Sequence, residues 1–428
     1  MTKITLTDLV NLQNETTAVN AINTNGTILE LAIDNTISRD GTAPNQMNSN
    51  FDMNSNQILN LPQPLTAASP VRLQDLDELV VGGTISTIPV GGTTNQLLAK
   101  HSNTDYDVIW KDFTSTTTLF IEPQVRVTLT TAVPITTSDV AGATTIYATP
   151  VNGNLVFIYD GVSTFTQYAL TSDLSLALDS NAAHTGYHQS GKNFYLGVYN
   201  DGGTIRLGST PAWSTDTDPG TGAGTAQIEL YKGLWVNSAS TTIRFGSAAG
   251  NTSTVPAKQF TVVGAFRATA DGQATDSVLK RLLFNFYNQA FRPGLVQEAG
   301  VNWNYSVAAY RQVNGSTANQ IEVLFGTSGT LVDAAAFNVV SNSTATPRTV
   351  ASGIGVDSTT VNSGRSTLLQ AVSSPIGTVQ SFYKGYPGIG WHTITWLEYG
   401  NASDVVTWYG NNAGASLHRA GLQLGVFI

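Results

Sequence analysis

The sequence predicts a mainly β chain. It opens with a short N-terminal helical or coiled-coil anchor, continues as a thin extended shaft of mutually wrapped copies, and ends in β-sandwich or jelly-roll-like domains with one intervening helix. Three observations carry this. Helical spacing of apolar residues is concentrated in the first 37 positions. The segment from 51 to 118 holds too few apolar side chains to stay ordered as a lone chain. Beyond about Leu119, short alternating or apolar runs recur between Gly, Asn and Asp turns, the spacing of sandwich strands.

In the N-terminal region, Leu9, Leu12, Thr16, Val19 and Ile22 follow a three-and-four spacing. Asn25-Gly26 predicts a break, after which Ile28, Leu29, Leu31, Ile33 and Ile37 resume the stripe. Two short helices with a narrow seam result. They fit a small coiled coil or a pair packed on the body of the chain.

The next segment is rich in Pro, with Pro44, Pro62, Pro64, Pro70 and Pro89, and Leu73, Leu76 and Leu79 mark one short helical run from Val71. Apolar pairs such as Ile58/Leu59 and Leu97/Leu98 stand alone among polar residues. Such segments hold their shape when copies wrap one another. A seam between copies in a fibrous oligomer is therefore expected through Leu9, Leu12, Val19, Ile58, Leu59, Leu97 and Leu98.

Strands are predicted at Asn154–Tyr159, Phe194–Tyr199, Ile228–Tyr231, Thr242–Phe245, Phe260–Ala268, Ile321–Phe325, His392–Glu398 and Val405–Tyr409. Turns are predicted at Asp160-Gly161, Asp201-Gly202-Gly203, Asp271-Gly272 and Asn314-Gly315. Between Ser277 and Phe291, Leu279, Leu282, Leu283, Phe286, Tyr287 and Ala290 match helical spacing, with Pro293-Gly294 as the stop. The resulting domains are 1–50, 51–118, 119–270 and 271–428.

Composition narrows the function. Only 11% of the 428 residues are charged, against a usual ~25%, and Ser, Thr, Asn, Gln and Gly take their place. That is how extracellular or virion β proteins are solvated. A net charge of −9 argues against nucleic acid, which needs clustered Lys and Arg. There is no cysteine, hence no disulfide or thiolate chemistry. The N-terminus lacks a secretory apolar stretch, and no run is long enough to insert in a membrane. A surface-like protein without an export signal suits a particle made in a host cytoplasm and released by lysis.

Catalytic patterns are weak. His184 and His188 have a metal-compatible spacing, but Gly186 and the turn-rich context speak against a helix, and a structural role is expected. Asp216-Thr217-Asp218-Pro219-Gly220 lacks the later acidic ligand of a calcium loop. Glu298, Glu322, Glu398 and Asp404 are available carboxylates, yet nothing in the sequence pairs them across a sugar. The glycine-rich 220–225 stretch lacks the Lys of a phosphate-binding loop. No metal, cofactor or catalytic residue is expected.

The strongest binding candidates lie near the C-terminus: Tyr383, Tyr386, Trp391, His392, Tyr409, Asn411, Asn412 and Arg419. Aromatic faces stack on sugar C–H surfaces, and polar neighbours read hydroxyls. Trp396 and Trp408 are expected in a core. Tyr383, Tyr386, Asn411 and Asn412, in Gly-rich segments, are expected at the surface.

Two motifs resemble those of a known family. MNSNQILNLPQPLTAASPVRLQDLDEL, from Met53 to Leu79, resembles an element near the N-termini of tailed-bacteriophage tail fibres. GGTTNQLLAKHSNTDYDVIWKDF, from Gly91 to Phe113, resembles a repeat of trimeric fibres, with Asn95 where the repeat has a second Gly. Downstream, SLALDSNAAHTGYHQSGKNFYLGVYNDGGTIRLGSTPAW (175–213), GTGAGTAQIELYKGLWVN (220–237), KRLLFNFYNQAFRP (280–293) and the segment 385–428 are similar to distal fibre regions. The resemblance implies a homotrimer, with a trimeric shaft over 51–118 and the seam above as its trimer seam, attached to a tail or adaptor protein by residues 1–50. Its C-terminal domains would bind a bacterial surface glycan or outer-membrane receptor, with no catalytic residues. The alternatives are a tailspike depolymerase cleaving host polysaccharide and a head or collar decoration fibre.

Overall fold

A computed structural model describes residues 6, 14–34, 53–56, 59–60, 62–63, 65, 89, 92–94, 96–104, 107–112, 122–371, 376–402, 405–415, 417 and 419–428. The fold is mainly β: of the described residues, 47% are strand and 7% helical. The chain divides into two compact units, residues 1–116 and 117–428.

In the first unit, Glu15–Asp34 is one α-helix. Asn14 caps it, its Oδ1 accepting from the Thr17 amide at 3.3 Å. The break expected at Asn25-Gly26 is absent. One helical Gly costs only about 1 kcal/mol relative to Ala, and Thr24 and Thr27 anchor their hydroxyls to the Asn20 and Asn23 carbonyls. Ala18 is buried, whereas Val19 is 47% and Ile22 53% exposed. Leu9, Leu12, Ile58 and the Val71–Leu79 run lie outside the described residues.

The second motif of the sequence forms an antiparallel hairpin, Gln96–Lys100 with Val108–Asp112. Gln96 ties it together, its Oε1 accepting from the Thr93 amide at 2.9 Å and its Nε2 donating to Asp112 at 2.8 Å. The Trp110 indole covers Gly92, where a Cβ would lie 2.7 Å from the ring. Leu97 and Leu98, on opposite faces of the hairpin, both remain exposed, as does Leu59 elsewhere in the unit.

In the second unit the longest sheet runs in the order Thr252–Val255, Thr241–Arg244, Thr204–Ser209, Asn193–Asp201, Thr261–Ala270, Gln273–Ser277, Lys280–Arg281, Gln320–Phe325, Gly390–Tyr399, Arg348–Val356 and Leu368–Ala371. It passes through residue 270 in the Thr261–Ala270/Gln273–Ser277 hairpin. A three-stranded sheet of Val125–Thr128, Thr145–Pro150 and Leu174–Ala177 packs on one part of it through Val127, Ile146, Leu176, Leu196 and Phe266.

A seven-stranded sheet faces the other part. Its main path is Phe291–Val296, Gly421–Phe427, Val332–Asn342, Gly377–Gly385 and Arg365–Ser366. Ile321, Ile354 and Trp396 of the long sheet share a core with Val332, Leu422 and Val426 of this one. The predicted strands all form, with ends shifted by no more than two residues.

The helix expected from Ser277 to Phe291 does not form. The segment is Gln273–Ser277, Lys280–Arg281, Leu283–Asn285 and then Phe291–Val296, all strands. Leu283 belongs to one core, Leu282 and Phe284 to the other. A strand buried on both faces is continuously apolar, so periodicity alone does not separate it from a helix. Asn288, with φ +51°, turns the chain back, its Nδ2 donating to the Pro123 and Val125 carbonyls.

A buried charge cluster closes this unit. Arg126 donates to the Asn288 and Ile428 carbonyls, both at 2.7 Å. Asp276 bridges Arg281 at 2.9 Å and Arg292 at 2.7 Å. Burial, aided by the charge of Arg292, lowers the Arg126 guanidinium to about 10, and Asp276 opposes the shift.

Candidate functional site

The predicted receptor residues occupy two places. Tyr383, Tyr386, Trp391 and His392 lie on Gly377–Gly385, on Gly390–Tyr399 and in the corner between them. Tyr386 is exposed and Tyr383 half-buried. Trp391 is engaged on a ring face and at its N–H: the Arg267 guanidinium lies 4.3 Å from its ring, and its Nε1 donates to Glu322 at 3.1 Å. His392 is buried, its Nδ1 2.7 Å from Asp357 Oδ2, while Asp357 Oδ1 accepts from the Thr393 amide at 2.8 Å. Burial would raise Asp357, but the bonds from His392 and Thr393 outweigh it and hold the carboxyl below its ordinary range. His392 is thus buried and positions Asp357.

Tyr409 ends Val406–Tyr409, Asn411 and Asn412 follow it, and all three close against the Glu298–Asn302 segment. The Tyr409 hydroxyl lies 3.1 Å from Ser341 Oγ. Asn411, expected at the surface, is buried. Its Nδ2 donates to Gln297 at 3.1 Å and its amide to the Glu298 carbonyl at 2.9 Å, so local Gly content did not decide its exposure. Asn412 is half-buried and Arg419 exposed. Trp396 and Trp408 are fully buried, as expected.

The carboxylates are committed to the fold. Glu398, fully buried, accepts from Trp303 Nε1 at 2.6 Å, Arg311 Nε at 2.8 Å and the Asn314 amide at 3.1 Å. Burial nevertheless pushes its carboxyl up to about 7 against those donors. Glu298 accepts from the Gly300 amide at 3.0 Å and Asn319 at 2.8 Å. Glu322 meets Lys280 at 3.0 Å in addition to Trp391. Asp404 lies outside the described residues.

His184 and His188 belong to a network that sequence reading left unconnected. Asp179 Oδ2 lies 2.9 Å from both His184 Nδ1 and Arg244. Arg244 also donates to the Thr185, Gly186, Gly246 and Ala248 carbonyls, which locks the loop carrying both histidines. His188 Nδ1 accepts from the Asp179 amide at 2.8 Å, so in the neutral ring the proton sits on Nε2, 2.9 Å from Ser209 Oγ. Nε2 then donates to Ser209 and cannot take its proton. Burial, with Arg244 next, lowers His188 to about 4.

Sequence reading also missed a cavity of about 490 Å³ in the second unit. Buried Tyr195 and Phe284 and half-buried Trp235 and Phe286 line it. The loop after Gln320–Phe325, Gly326 to Gly329, contributes to the lining. Trp235 and Phe286 meet edge to face at 5.7 Å. A Cβ at Gly326 would lie 2.6 Å from the Phe284 ring, so only Gly lets the loop approach these aromatics. The one available sequence signal was Gly-Thr-Ser-Gly following an apolar strand.

Among the described residues no group of three or more His, Cys, Asp or Glu could hold a metal ion, and no helix is long and apolar enough to cross a membrane. No family model and no curated protein matches the chain. Among solved structures it is similar to that of infectious bursal disease virus Gx strain at 12% identity, with a TM-score of 0.21, over 69% of this chain and 78% of that one. It is similar to exo-beta-1,3-galactanase from Phanerochaete chrysosporium at 13% identity, with a TM-score of 0.12, over 66% and 65%. Scores this low carry no shared fold or activity.

Proposed function

We propose that the chain is one subunit of a trimeric tail fibre of a tailed bacteriophage. Residues 1–50 attach it to a tail or adaptor protein, 51–118 form the shaft, and the sandwich-like β body binds a bacterial surface receptor. The observation that carries this reading is the hairpin of Gln96–Lys100 and Val108–Asp112. It bears a resemblance to the fibre repeat, and it exposes Leu97 and Leu98 on opposite faces. A two-stranded hairpin is marginal by itself, so both faces call for cover from other copies.

The β body supports the same reading. On the outer face of the seven-stranded sheet, Phe291 is 57% and Phe427 59% exposed, and Leu295 and Phe382 are exposed as well. The register Leu295↔Gln423, Gln423↔Ala335 and Ala335↔Phe382 places these on one face. The four residues expose roughly 400 Å² of mostly apolar surface, within the roughly 300–600 Å² of a typical monomer's largest patch, which is often functional. Trimer contacts along shaft and body also multiply weak receptor contacts, by about 10²–10⁴ in avidity.

Light scattering on the purified chain tests the assembly. Three times the 45.3 kDa chain mass is expected, and a monomer at micromolar concentration would overturn the fibre reading. Binding of the labelled trimer to host cells, lost on prior removal of surface glycans or proteins, tests the receptor role.

A further inference from the structure

We propose that the cavity between Trp235, Phe286 and the Gly326–Gly329 loop is a binding site for one neutral pyranose unit of a surface glycan. The volume of about 490 Å³ falls in the range of small-ligand sites, about 300–1,000 Å³. The lining includes no Asp, Glu, Lys, Arg or His. An anionic or cationic ligand would therefore lose hydration without gaining a counter-charge.

The walls are amphiphilic in the way a sugar requires. Trp235 and Phe286 offer partly exposed aromatic surface to a C–H face. At the rim, Thr327, Ser328 and Gly329 make no hydrogen bond within the described residues, through either amide or hydroxyl groups. Gln289 Nε2 donates to the Asn285 carbonyl at 2.9 Å, which orients the amide and leaves Oε1 as an acceptor. A wholly apolar ligand would leave these groups unpaired on burial, a penalty of the kind that makes polar sites selective.

The site is built in advance of its ligand. Tyr195 donates its hydroxyl to the Gly326 carbonyl at 3.0 Å, holding the loop against the aromatic wall. The Tyr287 hydroxyl accepts from the Trp235 amide at 2.9 Å and holds the backbone that carries Trp235. One bond thus anchors the base of the loop and the other the Trp235 strand, so part of the cost of ordering these walls is met before a ligand arrives.

This assignment deepens the receptor-binding reading and rests on it for the source of the sugar; the chemistry of the cavity is tested separately. Methyl glycosides of glucose, galactose, mannose, N-acetylglucosamine and N-acetylgalactosamine, with methyl glucuronide as the charged control, are titrated into the full chain and followed by ligand-observed NMR. At least one neutral glycoside is expected to saturate with a Kd of about 1–10 mM. Trp235→Ala should weaken it by about tenfold or more, with Trp235→Phe recovering most of the loss. Because Trp235→Ala risks the local fold, Ser328→Trp serves as the blocking variant: the position is exposed and the indole would occupy the cavity. It should abolish binding with the melting temperature unchanged. No saturation by any neutral glycoside up to about 50 mM, binding unaffected by Ser328→Trp, or preference for the glucuronide would each overturn the proposal. A monomeric chain that still binds the glycoside would fail the fibre reading and leave the sugar site standing.

Discussion

Loss of Asp276 should cost this fold heavily. Its two oxygens neutralise Arg281 and Arg292, and all three side chains are at least nine-tenths buried. Arg126 stands close enough for its guanidinium to be shifted by both Arg292 and Asp276. In Asp276→Ala, Arg281 retains the Pro293 carbonyl and Arg292 retains Thr136. Three guanidiniums would nevertheless share the interior without their carboxylate. Removing one partner of a buried ion pair costs about 3–5 kcal/mol, which for a unit this large lowers the melting temperature by about 6–10 °C. Denaturant titration and calorimetry would measure it, alongside Arg292→Met and the double variant. The double variant should be more stable than Asp276→Ala alone, because one stranded charge is gone. A loss under about 1 kcal/mol, or a double variant that adds the two single losses, would refute the argument that unpaired buried charge dominates here.

Glu398 and His188 give opposite pH signatures. The Glu398 carboxyl, raised from 4.5 to about 7, favours the folded state when protonated, a contribution complete below pH 4.5 and lost as pH rises through 7. The stability of the native chain relative to Glu398→Gln should therefore fall between pH 4.5 and 7; a pH-independent difference in denaturation midpoints would contradict this. His188, lowered from 6.5 to about 4, contributes stability present above pH 6.5 and lost as pH falls through 4. His188→Gln should flatten that acid limb, and an unchanged limb would show that other groups govern it. Phe291→Ser with Phe427→Ser removes the most exposed aromatics of the seven-stranded sheet face. Light scattering should show a dissociation midpoint at least about tenfold higher, while far-UV circular dichroism stays unchanged.

Exposure at the candidate receptor residues illustrates how far local reading reaches. Tyr386 follows the expectation for a Gly-rich corner, but Asn411, in a similar setting, is drawn inward by Gln297 and Glu298. Both bonds join segments more than a hundred residues apart. His392 alternates along its strand like any half-buried residue, and only the packing of Phe325 and the approach of Asp357 show that it is enclosed.

Turn chemistry and alternation are local, so the sequence alone determined that this is a β protein and where its hairpins reverse. Asp201-Gly202-Gly203 and Asp271-Gly272 turn because Gly takes positive φ at little cost, and the tertiary fold has no reason to override that. Burial on two faces is not local. Leu282 and Phe284 could belong to a helix or a strand until the sheets on either side of them exist, and the cavity is drawn from Tyr195, Trp235, Phe286 and Ser328, far apart in the chain. Tertiary structure decided these because the free energy of a doubly buried strand or a shared aromatic wall resides in contacts that no short window of sequence contains.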